Sequence, residues 1–326
     1  MKRLTIVFVA LGMLFGGISF AQQYKNSTPI RVGSKQFAEQ KILGKMIVEA
    51  LRANGYQVVD KTNLGGTAVV RKALTQGEID VYPNYTGTAI SNWYRSVPWA
   101  EKMIPAGASG NAYESYTIVS SLDAALHDLV WLQPAPANNT YAFAVKDSFA
   151  KAHNLTTVAD LAKLINSGAT VKLATNDEFA QRPDGLGAFE KTYGFKFKES
   201  QLLVIAGGTP AQTEKALANG SNGVNIAMAY ATDGALKAYS EVILEDPKGA
   251  QPVFQPTPVF RGAVIRKYPE IVGILNPIFA KLTTVELQKL NAQDLVDGDS
   301  PATVAKNFLV QNGFMDANGK APTAGN

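Results

Sequence analysis

Between residues 29 and 85 the chain alternates between two apolar rhythms, and this alternation limits the possible folds more than any other feature. Pro29–Gly33 reads as a first strand, after which Ile42, Met46, Ile47, Ala50 and Leu51 recur at helical spacing. Asn54-Gly55 ends that helix and Tyr56–Asp60 reads as a second strand. Leu64-Gly65-Gly66-Thr67 opens a second helix through Leu74, and Asp80-Val81-Tyr82 gives a third strand. Strand and helix in strict turn are the mark of a mostly parallel sheet with helices on its faces, because a parallel partner needs a crossover long enough to hold a helix.

A second series begins at Tyr141–Val145. Thr157-Val158-Ala159-Asp160 predicts a capping box ahead of Leu161 and Leu164, the hydroxyl and the carboxylate each meeting a free helix N–H. Val171–Thr175 reads as a strand, and Thr209-Pro210-Ala211-Gln212 as a helix start with Pro at the first helical position. That helix should stop at Asn219-Gly220, before a buried strand at Asn225–Tyr230. Pro258–Ile265 reads as a further strand, and helical patterns over 271–281, 285–291 and 301–311 are expected to complete the first lobe. The Gly/Ala/Pro-rich stretch 313–326 is expected to fray. A chain of about three hundred residues usually divides into two lobes. With no long linker, the pattern favours a chain that crosses between them twice.

Lys2 and Arg3 precede an apolar run from Leu4 to Phe20, and Ser19-Phe20-Ala21 offers small residues before a cut after Ala21. This is the three-part pattern of a secretory signal peptide, so an exported protein is expected. Loss of Lys2 and Arg3 with the leader takes the formal charge from +4 to +2, and Lys and Arg are dispersed. Such a balance gives no footprint for nucleic acid or an anionic membrane. No other stretch is apolar long enough to cross a bilayer, so no direct membrane insertion is expected. The sequence holds no Cys, so lipid attachment through a cysteine thioether and disulfide bonding are both excluded.

Catalytic patterns are weak. The two histidines, His127 and His153, offer no zinc spacing without cysteines. There is no Gly-x-Ser-x-Gly elbow, phosphate loop or dinucleotide fingerprint, and no cofactor is expected. Asp177, Glu178 and Asp233 are the candidates for paired carboxylates. Gly65-Gly66-Thr67 offers helix N–H groups to an anion, or serves only as a cap. Trp93, Tyr94 and Trp99 read as packing of the first lobe.

Five segments stand out at strand ends, where ligands meet α/β sheets. They are Gly33–Gln40 (GSKQFAEQ), Asp80–Thr88 (DVYPNYTGT), Asn138–Ala142 (NNTYA), Phe179–Leu186 around Arg182-Pro183-Asp184-Gly185, and Ala229–Gly234 (AYATDG). In this order they resemble the exported binding proteins of osmoprotectant ABC importers, which capture glycine betaine, choline and related quaternary amines. The resemblance covers nearly the whole mature chain. It implies a two-lobed type II periplasmic binding protein with a double crossover, each lobe a mostly parallel sheet flanked by helices. The expected division is 1–21 as signal peptide, 22–144 with 259–326 as lobe I, and 145–258 as lobe II.

By the same resemblance Tyr85, Tyr141 and Tyr230 form three walls of an aromatic cage. Phe254, in Pro252-Val253-Phe254, takes the place of a fourth family tyrosine. Asn139 stands where some relatives carry Asp. A zwitterion's carboxylate would meet Lys35, Thr88 and Arg182, the guanidinium offering two parallel donors. Lys35, Tyr85 and Thr88 would come from the first lobe, Arg182 and Tyr230 from the second, and Asn139 and Tyr141 from the first crossover strand. The implied protein is a periplasmic monomer, not an enzyme, whose partners are the transmembrane permease subunits of an ABC importer with their ATPase. Two alternatives stay open. One is a binding protein for another small zwitterion such as an amino acid, and the other is a periplasmic enzyme acting on a choline-like substrate through Asp233 or Asp177.

Overall fold

The computed structural model describes Lys25 and residues 28–322, apart from Ser96 and Ala106. The expected leader, 1–21, lies outside the described residues. Among these residues no helix is long and apolar enough to cross a membrane. The described residues form ten strands: β1 (Ile30–Gly33), β2 (Val58–Lys61), β3 (Val81–Tyr85), β4 (Leu129–Trp131), β5 (Tyr141–Lys146), β6 (Leu173–Asn176), β7 (Leu202–Ile205), β8 (Ile226–Tyr230), β9 (Glu241–Ile243) and β10 (Pro256–Arg261). They make two five-stranded sheets, ordered β2-β1-β3-β10-β4 and β7-β6-β8-β5-β9. Each sheet thus has the same order, with its fourth place filled by a strand that the chain enters after crossing from the other sheet.

Those crossing strands are the one exception in each mostly parallel sheet. β10 runs antiparallel to β3 and β4, and β5 runs antiparallel to β8 and β9, whereas β1–β2, β1–β3, β6–β7 and β6–β8 are parallel. In each sheet four of the five strands therefore run the same way and only the crossing strand is reversed, because a strand arriving from the opposite lobe enters from the cleft end. β5 is bonded into the second sheet from Tyr141, opposite Tyr230, to Lys146, opposite Glu241. The expected divides at 144/145 and 258/259 fall inside β5 and β10, and the chain passes between the sheets in 132–140 and 244–255.

Period-two alternation builds a core on each side of each sheet. In β3 and β10, Val81 and Phe260 join Ile42, Met46, Leu287 and Phe308, whereas Tyr82 and Val259 join Val70, Leu74, Val119 and Trp131 on the opposite face. The second sheet sorts its residues in the same way. Phe143, Ile226 and Met228 face an aromatic core with Phe179 and Phe189. Ala144, Ala227 and Ala229 face the helix Pro210–Ala218, which their small side chains let approach closely. The helices at 284–295 and 301–311 pack on the helix Ala38–Ala53 and so complete the first lobe, as expected.

The capping box at Thr157 and Asp160 is present, and the helix from Pro210 stops at Asn219 with Gly220 at φ 61°. Two expectations differ. Gly262–Lys267 is helical and not the end of a strand, because pairing of β10 with β4 ends at Arg261 and the Gly262 amide then donates to the Asp128 carbonyl at 2.6 Å. Residues 313–322 are largely exposed but tied down at two points, with Met315 buried and the Ala321 amide donating to the Ala53 carbonyl at 3.0 Å.

Candidate functional site

Strands end abruptly where the sheets face each other. β1 gives way to Ser34-Lys35, β3 ends at Tyr85 before the helical turn Thr86–Ala89, β5 starts at Tyr141, and β8 ends at Tyr230. The turn Thr86–Ala89 continues as a π-helical turn, Ile90–Tyr94, a geometry that often marks functional sites. Between the sheets lies a small cleft with a cavity of about 110 Å³. All eight residues expected from the sequence line it: Lys35, Tyr85, Thr88, Asn139, Tyr141, Arg182, Tyr230 and Phe254. Glu39 and Asp233 line it too.

The rings are arranged by backbone register. Tyr141 and Tyr230 are direct cross-strand partners, and their rings stack with centroids 4.9 Å apart and planes at 25°. They make one double-layered side of the cleft and not two facing walls. Phe254 meets Tyr141 edge-on at 6.1 Å, and Phe179, fully buried, supports Tyr141 from behind at 4.9 Å. Tyr85 comes from the other sheet. Two asparagines hold Phe254 in place: its amide donates to Asn138 Oδ1 at 2.8 Å, and its carbonyl accepts from the Asn139 amide at 2.9 Å.

Lys35, Lys41 and Arg182 all line the cleft, and the two that lie against its rings, Arg182 and Lys35, are in different states. Arg182 is committed to its own lobe: Nε and Nη2 donate to the two Asp184 oxygens at 2.8 and 2.6 Å, and Nη1 lies 3.4 Å from Glu178 Oε2. Its two-donor edge is therefore already paired, and its guanidinium carbon lies 5.3 Å from the Tyr141 ring centroid. Lys35 is 2% exposed, its ammonium sits 5.3 Å from the Tyr85 ring centroid, and it forms no ion pair among the described residues. Burial, and next the Arg182 charge, push the Lys35 ammonium down to about 7 against the opposing pull of Glu178 and Asp184.

Glu39, Asn92 and Asn291 were not named as site residues from the sequence, and the carboxylates that were named, Asp233, Glu178 and Asp177, take different places. Glu39 Oε1 accepts from the Tyr85 hydroxyl at 2.6 Å and from Asn139 Nδ2 at 2.7 Å, while Oε2 accepts from Asn291 Nδ2 at 2.9 Å. Burial, then the Glu39 charge, raise the Tyr85 phenol well above its ordinary value, so its hydroxyl stays a donor. Asp233 Oδ2 accepts from the Tyr230 amide at 2.6 Å. Glu178 accepts from the Thr67 amide at 2.9 Å and the Thr67 hydroxyl at 3.0 Å, so the helix start read as an anion cradle or a cap takes a carboxylate from the opposite lobe. Asn92 Nδ2 also reaches across, 3.3 Å from Asp184 Oδ2. Asp177 binds the Gly207 amide at 2.6 Å and does not line the cleft. Among the described residues no three acidic or histidine side chains are grouped to hold a metal.

Two α/β lobes joined by two crossings, with an aromatic and basic cleft between them, define a binding protein that holds a small solute between its lobes. Residues 28–311 match the family described as the substrate binding domain of ABC-type glycine betaine transport systems, and the chain belongs to that family. It is 44% identical to the glycine betaine-binding protein YehZ of Escherichia coli, over 88% of this chain and 92% of that one. A glycine-betaine-binding protein of Pseudomonas aeruginosa is 33% identical over 91% of this chain and 92% of its own length. The solved structure of apo YehZ superposes with a TM-score of 0.65, covering 88% of this chain and 99% of that one.

Proposed function

We propose that this exported protein captures a quaternary-amine osmolyte such as glycine betaine or choline in the aromatic cleft and delivers it to the permease of an ABC importer. The convergence of four rings, from both sheets and from the second crossing, carries this reading. A trimethylammonium group has charge but no N–H, so hydrogen bonds cannot recognise it. Ring faces can, each contact contributing roughly 0.5 to 2 kcal/mol and more where water is excluded. Tyr141 and Tyr230 would offer a broad side, with Phe254 and Tyr85 completing the enclosure.

A zwitterion's carboxylate goes to Lys35 and Thr88 in this reading, because Lys35 is buried beside the Tyr85 ring and, unlike Arg182, has no ion pair among the described residues. Arg182, tied to Asp184, stiffens the Tyr141 side and adds positive potential. Ligand touching both lobes favours the state in which the lobes meet, through its differential affinity for that state. No covalent step is involved, and the names of the glycine betaine-binding relatives point to the same ligand class.

A thermal-shift screen of the mature protein against glycine betaine, choline, carnitine and common amino acids tests this, since a ligand that binds only the folded form raises its midpoint. The quaternary amines are expected to raise it. A rise with an amino acid alone would replace the ligand class.

A further inference from the structure

We propose that Glu39 is a specificity-determining residue of this site: its buried carboxylate supplies the counter-charge for a cationic ligand and sets the preference between cations and zwitterions. The inference rests on the reading of the cleft as a quaternary-amine site and deepens it.

Glu39 lies in the first turn of the helix Ala38–Ala53, is 6% exposed, and lines the cleft. Its hydrogen bonds all run one way. The Tyr85 hydroxyl and the side-chain amides of Asn139 and Asn291 each donate to it, at 2.6, 2.7 and 2.9 Å. Accepting three bonds and giving none is the pattern of an ionised carboxylate. No Lys or Arg pairs with it among the described residues, so this charge is balanced by neutral donors and not cancelled. An uncancelled charge beside a water-poor cleft acts strongly on a ligand a few ångströms away, because little solvent screens it.

Its placement sorts ligands. Tyr85 has Glu39 at its hydroxyl edge and the Lys35 ammonium over its face, so negative and positive potential meet on one ring. The Asn139 side-chain amide is spent on Glu39 and on Thr232 Oγ1, both at 2.7 Å, so it adds no charge of its own to the cleft. Asp233 also lines the cleft, where its Oδ2 accepts from the Tyr230 amide at 2.6 Å and burial pushes its carboxyl up to about 7. Choline, with one positive charge, gains fully from Glu39. Glycine betaine gains less, because its own carboxylate is repelled.

Calorimetric titration of choline and glycine betaine against wild type, Glu39→Gln and Asn291→Lys tests the inference. Asn291→Lys neutralises the carboxylate without removing it, so it decides the matter if Glu39→Gln does not fold. Either folded variant should lose choline affinity by at least about tenfold and betaine affinity by less than about threefold, as expected for loss of a nearby buried charge. Equal losses, or an unchanged ratio of the two affinities, would overturn the role of Glu39 while leaving the quaternary-amine reading intact. A wild type that binds neither amine would overturn both.

Discussion

Tyr141 and Tyr230 stand in register across β5 and β8, with their rings stacked at 4.9 Å, so each ring fixes the position of the other. Tyr230→Ala is expected to remove a ligand contact and to release Tyr141 from one of its supports. Betaine affinity should fall at least about tenfold, since a lost ring face and a lost aromatic pair each contribute about 0.5 to 1.5 kcal/mol or more. Tyr230→Phe keeps the ring and should lose far less. Calorimetry of both variants checks this, and a Tyr230→Ala protein of wild-type affinity would remove the residue from the site.

Lys35 gives the site a pH dependence of definite sign. In the free protein its ammonium is held down to about 7 by burial, and a bound carboxylate would stabilise the protonated form. Binding a zwitterion then draws a proton onto Lys35 above that value, so betaine affinity should decline as pH rises from about 6 to about 9. Choline, which has no carboxylate, should not follow this decline. Lys35→Met should bind betaine weakly and with a flat pH profile. A wild-type betaine profile that is flat between those values would contradict the assignment.

Gly87 is required by close approach. A Cβ there would come within 2.8 Å of the Phe254 ring and within 2.8 Å of the Val253 carbonyl, and the carbonyl is backbone that cannot turn aside. Gly87→Ala should push the Phe254 segment out of the cleft and lower stability by about 1 to 3 kcal/mol, the usual cost of overpacking. Denaturant unfolding together with a betaine titration measures both effects. Unchanged values in both would show that the segment moves freely.

Asp123 anchors the first lobe well away from the cleft. It is fully buried and accepts from both Arg71 nitrogens, the Tyr94 hydroxyl and, at 2.6 Å, Trp131 Nε1. Asp123→Ala leaves the buried Arg71 guanidinium without its partner, and the expected loss is about 3 to 5 kcal/mol. Chemical denaturation reads it directly. A loss below about 1 kcal/mol would mean that the lobe rearranges around Arg71.

The strands and helices that carry the site were legible because each has a strong period and clear boundary signals: the stops at Asn54-Gly55 and Asn219-Gly220, the capping box at Thr157 and the Thr209-Pro210 helix start. Short strands were harder. β4 and β9, three residues each, are too short to show a period, and the helix Ala112–His127 buries only part of a face rich in Ser, Thr and Tyr. All eight expected cleft residues converge, and their identity came from motif resemblance, since a lone tyrosine or lysine carries no such signal. What stayed hidden depends on long-range pairing. Glu178 and Thr67 are 111 residues apart, and nothing near Arg182 announces that Asp184 takes its two-donor edge. Glu39 lay in plain view within GSKQFAEQ, yet only the three donors gathered around it mark it as more than a helix-start acid.

The helix Thr67–Thr75 begins at Gly66, whose missing side chain can accept nothing and whose Cβ would lie 2.6 Å from Glu178 Oε1. One lobe therefore finishes a helix that belongs to the other. Pulling the lobes apart uncovers the amide and hydroxyl of Thr67, and water must take over both. The same short segment that bears Glu178 also bears Arg182, which lies over Tyr141, so in the proposed binding role unfastening the clasp and loosening the hold on a ligand would be a single movement.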